Sequence, residues 1–513
     1  MRCLLAVLLV AIPGLPLLAG LLVSRRSAQA AGRLTGLAAG LAAACAVLVA
    51  LTQFATGPLD FRFAPLGPDA LLVLGLRVDA VSGLMLVLVG FLGAVILRFS
   101  RHYLDGDPAQ SRFFSWMSLT LAAVLTMILA SHLLLLLLAW TATSLSLHRL
   151  LLHYPERAGA VFSARKKFIV SRMGDLCLLA AAVLLFQAYG TWDLEALFSA
   201  MRERPATSLP LVGVLLAACA ALKSAQFPFH GWLPDTMETP TPVSAFMHAG
   251  IINAGGYLVV RFAPVFVHAP GALHVLAIIG ALTAAFGAVV MLAQPSVKRA
   301  LAYSTIAQMG FMMLQCGLGA YGLALLHIVA HSLYKAHAFL TTGSTIGAVP
   351  RAAVVLKAPA LSLAVLVGGL IVAAVATGLH LLRPVADSTA DFFAGVLALA
   401  LAYGLARTWS AGGGWGSFAR SIGAAMAFAA AGLALHVSAN LLLPGLPVVS
   451  PPAALLSAVG LIFTALFLFQ ALLWRTGRYE IGRRIYVHAL NGFYVGTLGN
   501  RLLSRLWPRQ SPR

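Results

Sequence analysis

The chain has 513 residues, of which 60% are hydrophobic and only 10% are charged. Ordinary soluble domains carry about 25% charged residues, so a soluble enzyme, a disordered chain and a secreted disulfide scaffold are excluded, and a polytopic helical membrane protein remains. The formal charge of +20 would suit a nucleic-acid binder only with basic residues and aromatics interleaved on a soluble face. Here the basic residues sit in short runs between apolar segments.

Crossing the hydrocarbon core takes roughly 20 apolar residues in a helix. Applied along the chain, that ruler predicts an all-α fold of about 13–15 transmembrane helices. The candidate segments lie near 3–23, 34–54, 78–97, 113–130, 132–152, 168–188, 207–225 and 241–262. Seven more lie near 271–293, 301–319, 321–345, 358–378, 390–406, 421–443 and 452–474. The first is followed by Arg25 and Arg26 instead of a small-residue cleavage site, so it reads as a retained helix and not a signal peptide. Cys3, Cys45, Cys177, Cys219 and Cys316 are isolated in apolar runs, without metal-ligand or redox spacing.

Of the 35 Lys and Arg residues, 26 fall in or beside the odd-to-even connections and the C-terminal tail. The positive-inside rule then places the N-terminus outside and the C-terminus in the cytoplasm. The tail, 475–513, carries eight arginines against Glu480 alone, with Ile485, Tyr486, Leu490, Phe493, Tyr494, Leu498 and Leu502 near helical spacing. A basic amphipathic helix on the inner leaflet accounts for that pattern, and docking of a cytoplasmic partner accounts for it equally.

Ionisable groups inside apolar helices cost at least ~2.5–3.5 kcal/mol each and are functional candidates by default. His327, His331 and Lys335 recur at i, i+4 and i+8 within 321–345, and so share one helix face. Such a stripe suits a proton or ion path. Helix-to-helix hydrogen bonding and a two-histidine metal site are the alternatives. Lys223 lies near the end of 207–225, where a snorkelling lysine is the plain reading. The following FPFHGWLPDTMETPTP run (227–242) argues otherwise, because helix cannot run through Pro228, Pro234, Pro240 and Pro242. Broken backbone at membrane depth survives only inside protein or along a cavity, and transporters build ion sites at such breaks. His230, Asp235 and Glu238 lie in this run, and His248 follows in the next helix. Asp175, three residues after Arg172, fits either a local ion pair or a site role.

The run from Lys223 through HGWLPDTMETPTPVSAFMHAG (230–250) resembles the antiporter-like membrane subunits of respiratory complex I, subunit L in particular, and of Mrp-type sodium/proton antiporters. VKRALAYSTIAQMGFM (297–312) and HIVAHSLYKAHAFLTTGSTI (327–346) match the same family in the expected order. The resemblance implies two inverted five-helix repeats, each with a broken helix. On that pattern 1–112 holds N-terminal helices, 113–262 a first repeat and 271–409 a second, degenerate one. Residues 410–474 hold C-terminal helices and 475–513 the tail. It also implies that Lys223 is the central lysine of the broken helix and His248 a relay histidine. His327, His331 and Lys335 would form the connecting path, with Asp175 on the preceding helix.

Two departures from the family pattern stand out. A glutamate is expected directly after Trp140, but Thr141 is there, and 132–152 contains no acid. The second broken helix should carry charge, but 358–378 has no ionisable group. The long lateral helix that the largest complex I subunit carries after its last core helices is not expected here. The ending RRIYVHALNGFYVGTLGNRLLSRLWP (483–508) and the wording of 235–258 resemble one branch, the membrane subunits of two-component dissolved inorganic carbon accumulation complexes of bacteria. That branch implies an inner-membrane, ion-conducting subunit without a cofactor of its own. Its partner would be a large cytoplasmic subunit resembling a zinc carbonic anhydrase, which would hold the catalysis. A proton-translocating subunit of a quinone-linked oxidoreductase or a sodium/proton antiporter is the competing expectation. A non-conducting membrane anchor is the third.

Overall fold

The computed structural model describes residues 2–23, 26–63, 74–345, 358–382, 388–411, 414–443, 445–447, 449–476 and 480–506. Arg25, Arg351, Lys357, Arg478, Arg509 and Arg513, all counted above for orientation, lie outside them, as does Arg383 of an opposite-side connection.

The chain opens with α1 (Arg2–Leu22) and α2 (Ala28–Thr56), then a hairpin of β1 (Leu59–Phe63) and β2 (Leu74–Val78). There follow α3 (Ala80–Tyr103), α4 (Gln110–Leu129), α5 (Leu133–Leu151), α6 (Ala158–Tyr189), α7 (Leu194–Glu203) and α8 (Leu209–Lys223). A broken stretch contains α9 (Trp232–Asp235), and α10 (Thr241–Ala249), α11 (Ala254–Arg261) and α12 (Ala263–Val267) come next. The second half holds α13 (Pro270–Ala293), α14 (Val297–Gly317), α15 (Tyr321–Leu340), α16 (Ala358–Leu382), α17 (Ser388–Ser410), α18 (Gly414–Leu442) and α19 (Ala453–Thr476). The tail forms α20 (Glu480–Leu490) and α21 (Val495–Leu506).

Fourteen of the fifteen predicted segments each coincide with one helix, and the remaining one, 241–262, is divided between α10 and α11. Among the described residues, eleven helices are long and apolar enough to cross a membrane, and Leu209–Lys223 and Ala360–Ala374 are shorter apolar ones. The protein is therefore an all-α polytopic membrane protein with a discontinuous helix at α8.

The largest boundary difference has consequences. Helix α6 starts at Ala158, about ten residues before the predicted position, so Arg165, Lys166 and Lys167 lie inside it. Lys166 and Lys167 are buried, at 9% and 3% exposure, and do not belong to a solvated orienting loop. Long aliphatic stems let lysines continue a helix along apolar neighbours.

Two elements were not predicted. The hairpin pairs Leu59 with Val78 and Phe61 with Leu76 in antiparallel register. Asp79, just after β2, caps α3 through Ser82 and pairs with Arg261 at the end of α11, while Arg77 pairs with Glu195 on α7. These contacts strap together the face opposite the connections that carry Arg157 and Lys298. That second face is called the basic face below. Helix α7 starts at the Asp193 cap and buries Leu194, Leu197 and Met201.

Helices α13 and α14 pack backbone to backbone through glycines. A Cβ on Gly280 would lie 2.6 Å from Gly310 O, one on Gly287 2.6 Å from Ala307 N, and one on Gly317 2.7 Å from Leu273 O. Small residues at such crossings let helices associate in lipid, where no hydrophobic force drives them together. The neighbours are main-chain atoms and cannot rotate away. We therefore expect Gly310→Ala to cost about 1–3 kcal/mol of stability, read as an earlier melting transition of the detergent-solubilised protein. Gly271→Ala, where a Cβ would meet nothing within 4 Å, should melt like the wild type.

Candidate functional site

Helix α8 runs as a regular apolar helix to Lys223 and then stops. Pro228 supplies no N–H and disfavours helix in the residue before it, and Ala225 takes a left-handed φ of 51°. The released backbone finds partners within the protein, as membrane depth requires. Phe227 N donates to Thr283 Oγ1 at 3.0 Å, and Gln226 Nε2 donates to Ser224 O at 2.9 Å. The chain then resumes as single turns over Phe229–Gly231, Trp232–Asp235 and Thr236–Glu238. Helix was expected to be absent from 227–242. The prolines instead permit short turns, because Pro234 lies in the first turn of α9 and Pro242 in that of α10, where no N–H is needed. Pro240 ends the stretch, and its carbonyl accepts from Val243 N at 2.9 Å to start α10.

A second break, Gly250–Asn253, separates α10 from α11. Asn253 Nδ2 bridges it, donating to Ala249 O at 2.9 Å and to Ser332 Oγ on α15 at 2.8 Å. The two breaks touch, since Ser224 Oγ donates to Ile252 O at 2.7 Å. Loosened backbone from two helices thus meets beside Lys223, near the middle of the bundle.

Around Lys223 the charges are few. Its Nζ lies 4.5 Å above the Trp140 ring, a cation–π contact that offsets part of the cost of burying an ammonium. Asp175 on α6 is the charged group that attracts it most. The same carboxylate pairs with Arg172 Nη2 at 2.6 Å. Asp175 is therefore the local i, i+3 partner of Arg172, and its charge also acts on Lys223.

The second group of predicted residues assembles on α10, α14 and α15. His248 is fully buried, its Nδ1 lies 3.0 Å from Thr305 Oγ1, and its ring stacks on Phe339 at 4.5 Å. Lys335 is fully buried too and donates to Leu301 O at 3.1 Å. His327 Nδ1 lies 2.9 Å from Gln315 Oε1, and the His327 and His331 rings are 6.0 Å apart. Lys335 is a charged neighbour of both His248 and His331, so the three residues form one electrostatic unit. Among the described residues, no three His, Cys, Asp or Glu side chains cluster as metal ligands would.

The remaining candidates lie apart from Lys223. His230 is buried against Phe227 and Phe286. Asp235 accepts from Lys166 Nζ at 2.9 Å, and the same ammonium donates to Asn500 Oδ1 of α21 at 2.7 Å. Glu238 lies near Gly159 at the start of α6. The tail is thus docked on its own bundle, where Leu490 O also accepts from Gln294 Nε2 at 3.2 Å. Lys166 and Lys167 were missed as site residues because the Arg-Lys-Lys run reads as a loop signal.

Comparison with known proteins gives a consistent picture. Residues 130–381 match the family described as NADH:quinone oxidoreductase/Mrp antiporter, TM, and 69–114 match NADH-ubiquinone oxidoreductase (complex I), chain 5 N-terminus. A probable inorganic carbon transporter subunit, DabB2, of Halothiobacillus neapolitanus is 38% identical over 458 residues, covering 86% of this chain and 82% of that protein. NADH-quinone oxidoreductase subunit L of Mycobacterium tuberculosis is 36% identical, covering 66% of this chain and 55% of that one. The solved Mrp complex from Dietzia sp. superposes with a TM-score of 0.59 at 26% identity, over 99% of this chain and 57% of its own.

The break depends on Thr283 accepting the Phe227 N–H. Thr283→Val leaves a buried donor unsatisfied, at a cost of about 1–3 kcal/mol. A lowered melting temperature in detergent is expected, and Thr283→Ser should restore it.

Proposed function

This chain belongs to the NADH:quinone oxidoreductase/Mrp antiporter transmembrane family, and from that premise we propose that it is the proton-conducting membrane subunit of an inorganic carbon accumulation complex. In this reading it energises a large zinc carbonic-anhydrase-like subunit docked on the basic face, which is cytoplasmic, in a bacterial inner membrane. The N-terminus then lies outside. Hydration of CO2 belongs to the partner and its zinc, and this chain supplies the driving flow of protons.

The observation that carries the reading is the burial of Lys223 and Lys335, at 9% and 0% exposure. Neither has a carboxylate within ion-pair distance among the described residues. A permanent charge so placed is costly, whereas a group that takes up and releases a proton is charged only in passing. Lys223 stands where two helices are unwound, with the Asp175 charge acting on it. Lys335 stands beside His248 and His331, whose rings can accept and pass on a proton because imidazole titrates near neutral pH. His327 would extend this second unit along α15. His230, Pro234, Asp235, Glu238 and Pro240 then shape the basic-face end of the broken helix.

The likeness to the inorganic carbon transporter subunit, over most of both chains, favours carbon accumulation. A proton-translocating subunit of a complex I-like oxidoreductase or of a sodium/proton antiporter is the second reading, favoured by the shorter match to subunit L. Thr141 weighs against it, because no acid on α5 can pair with Lys223. Copurification with flavin or iron–sulfur subunits would favour the second reading.

Expressed with its partner, the chain should rescue a carbonic-anhydrase-deficient bacterium in ambient air. Lys223→Ala and Lys335→Ala should each abolish rescue while the protein stays in the membrane at wild-type amounts. Full rescue by both variants would remove the lysines from the proton path.

A further inference from the structure

Lys167 is a buried charge that the proposed path does not use. It lies on α6 at 3% exposure. Its ammonium meets two neutral acceptors from one residue, Ser144 O at 2.7 Å and Ser144 Oγ at 3.0 Å. An ammonium has three donors, and among the described residues no carboxylate comes within ion-pair distance of this one. The charged and titratable groups that face it are Lys223 on α8, Arg172 and Asp175 on its own helix, and His148 on α5. Lys223 and Arg172 repel its charge, and Asp175 attracts it.

Three cations therefore share one carboxylate. Arg172 stays protonated and holds Asp175 at 2.6 Å. Relief of the excess charge falls to the two lysines.

Their placement along α5 is regular. Lys223 lies over Trp140, Lys167 bonds Ser144, and His148 follows, so the three contact positions are spaced i, i+4 and i+8. They share one helix face, with a rise of about 6 Å between successive positions, and they lead toward the basic face. His148 is only half-buried and sits against Phe168.

We propose that Lys167 is a second proton-binding site, working against Lys223 across the position where the family acid is absent. When Lys223 binds a proton, repulsion between the like charges expels one from Lys167 to the His148 ring and on to the basic face. Transfer of the Lys223 proton to the emptied Lys167 then resets the pair, so each cycle carries one proton from Lys223 to the basic face. One proton enters at Lys223 for each one leaving Lys167, so the bundle holds a constant charge. Like-charge repulsion here takes the place of an opening and closing ion pair. The inference rests on the proposed proton flow.

The test uses the full chain with its partner in membrane vesicles, measuring uncoupler-sensitive proton uptake driven by a pH gradient, with membrane abundance followed by immunoblot. Lys167→Met and Lys167→Arg should both lower uptake about tenfold or more. The arginine keeps the charge and the donors to Ser144 but cannot give up its proton. Wild-type uptake in Lys167→Arg with loss in Lys167→Met would show a structural cation and overturn the proposal, as would wild-type uptake in both. If either variant fails to reach the membrane, Ser144→Ala decides. Removing one acceptor of the Lys167 ammonium should move the pH of half-maximal uptake, and an unmoved profile overturns the proposal. Absence of uptake in the wild type defeats the proposed function itself. Loss in Lys223→Ala with full uptake in both Lys167 variants defeats only the role of Lys167.

Discussion

An ammonium inside a bilayer costs at least ~2.5–3.5 kcal/mol, and this chain buries Lys167, Lys223 and Lys335, with the charge of Asp175 acting on the first two. Much of the bundle's irregularity serves to hold these charges. Lys223 rests on an indole face, Lys167 on a main-chain carbonyl and a hydroxyl, and Lys335 on the carbonyl of Leu301. Each is a weak substitute for a carboxylate. Weak compensation suits a group that must change its charge, since a tight ion pair would fix the proton in place.

The same economy governs the backbone. Unwinding α8 after Lys223 exposes polar main-chain groups that lipid cannot satisfy, so Thr283, Ser224 and Gln226 supply partners from within the protein. The second unwound stretch, at Gly250–Asn253, is fastened by Asn253 to Ser332 on the helix that carries His327, His331 and Lys335. One hydrogen-bonded seam therefore connects the lysine on the broken helix with the histidine–lysine stripe. On the far side of α6, Lys166 joins Asp235 of the broken stretch to Asn500 of the tail, so the tail braces the basic-face end of the same helix.

Much of this was legible in the sequence. Apolar runs of bilayer length located the helical segments, because a helix that crosses the hydrocarbon core must be long and apolar. The proline-rich run after Lys223 marked the broken helix, and the four-residue spacing of His327, His331 and Lys335 put them on one face. What was missed depends on tertiary partners. Lys167 sits in an Arg-Lys-Lys run that looks like a solvated loop, and only the approach of α5 and α8 turns it into a buried charge. The hairpin docks on Ala130 through Leu76 and on the start of α7 through Arg62–Asp193 and Arg77–Glu195, contacts that no local pattern records. Helix α7 did carry a readable signal, an Asp cap followed by apolar residues at helical spacing, though it is too short to register on a bilayer-length ruler. The tail's amphipathic pattern was visible, but two surfaces could satisfy it. The bundle itself takes up part of it, through Gln294 and Lys166.

In the proposed mechanism, buried, weakly compensated lysines make this chain a conductor of protons. The purified chain and its partner, reconstituted in liposomes with the membrane potential clamped and a pH-sensitive dye inside, test it directly. An imposed pH gradient should collapse several times faster than in empty liposomes, at a rate unchanged when sodium is replaced by choline. Collapse no faster than in empty liposomes, or only in the presence of sodium, would contradict the account.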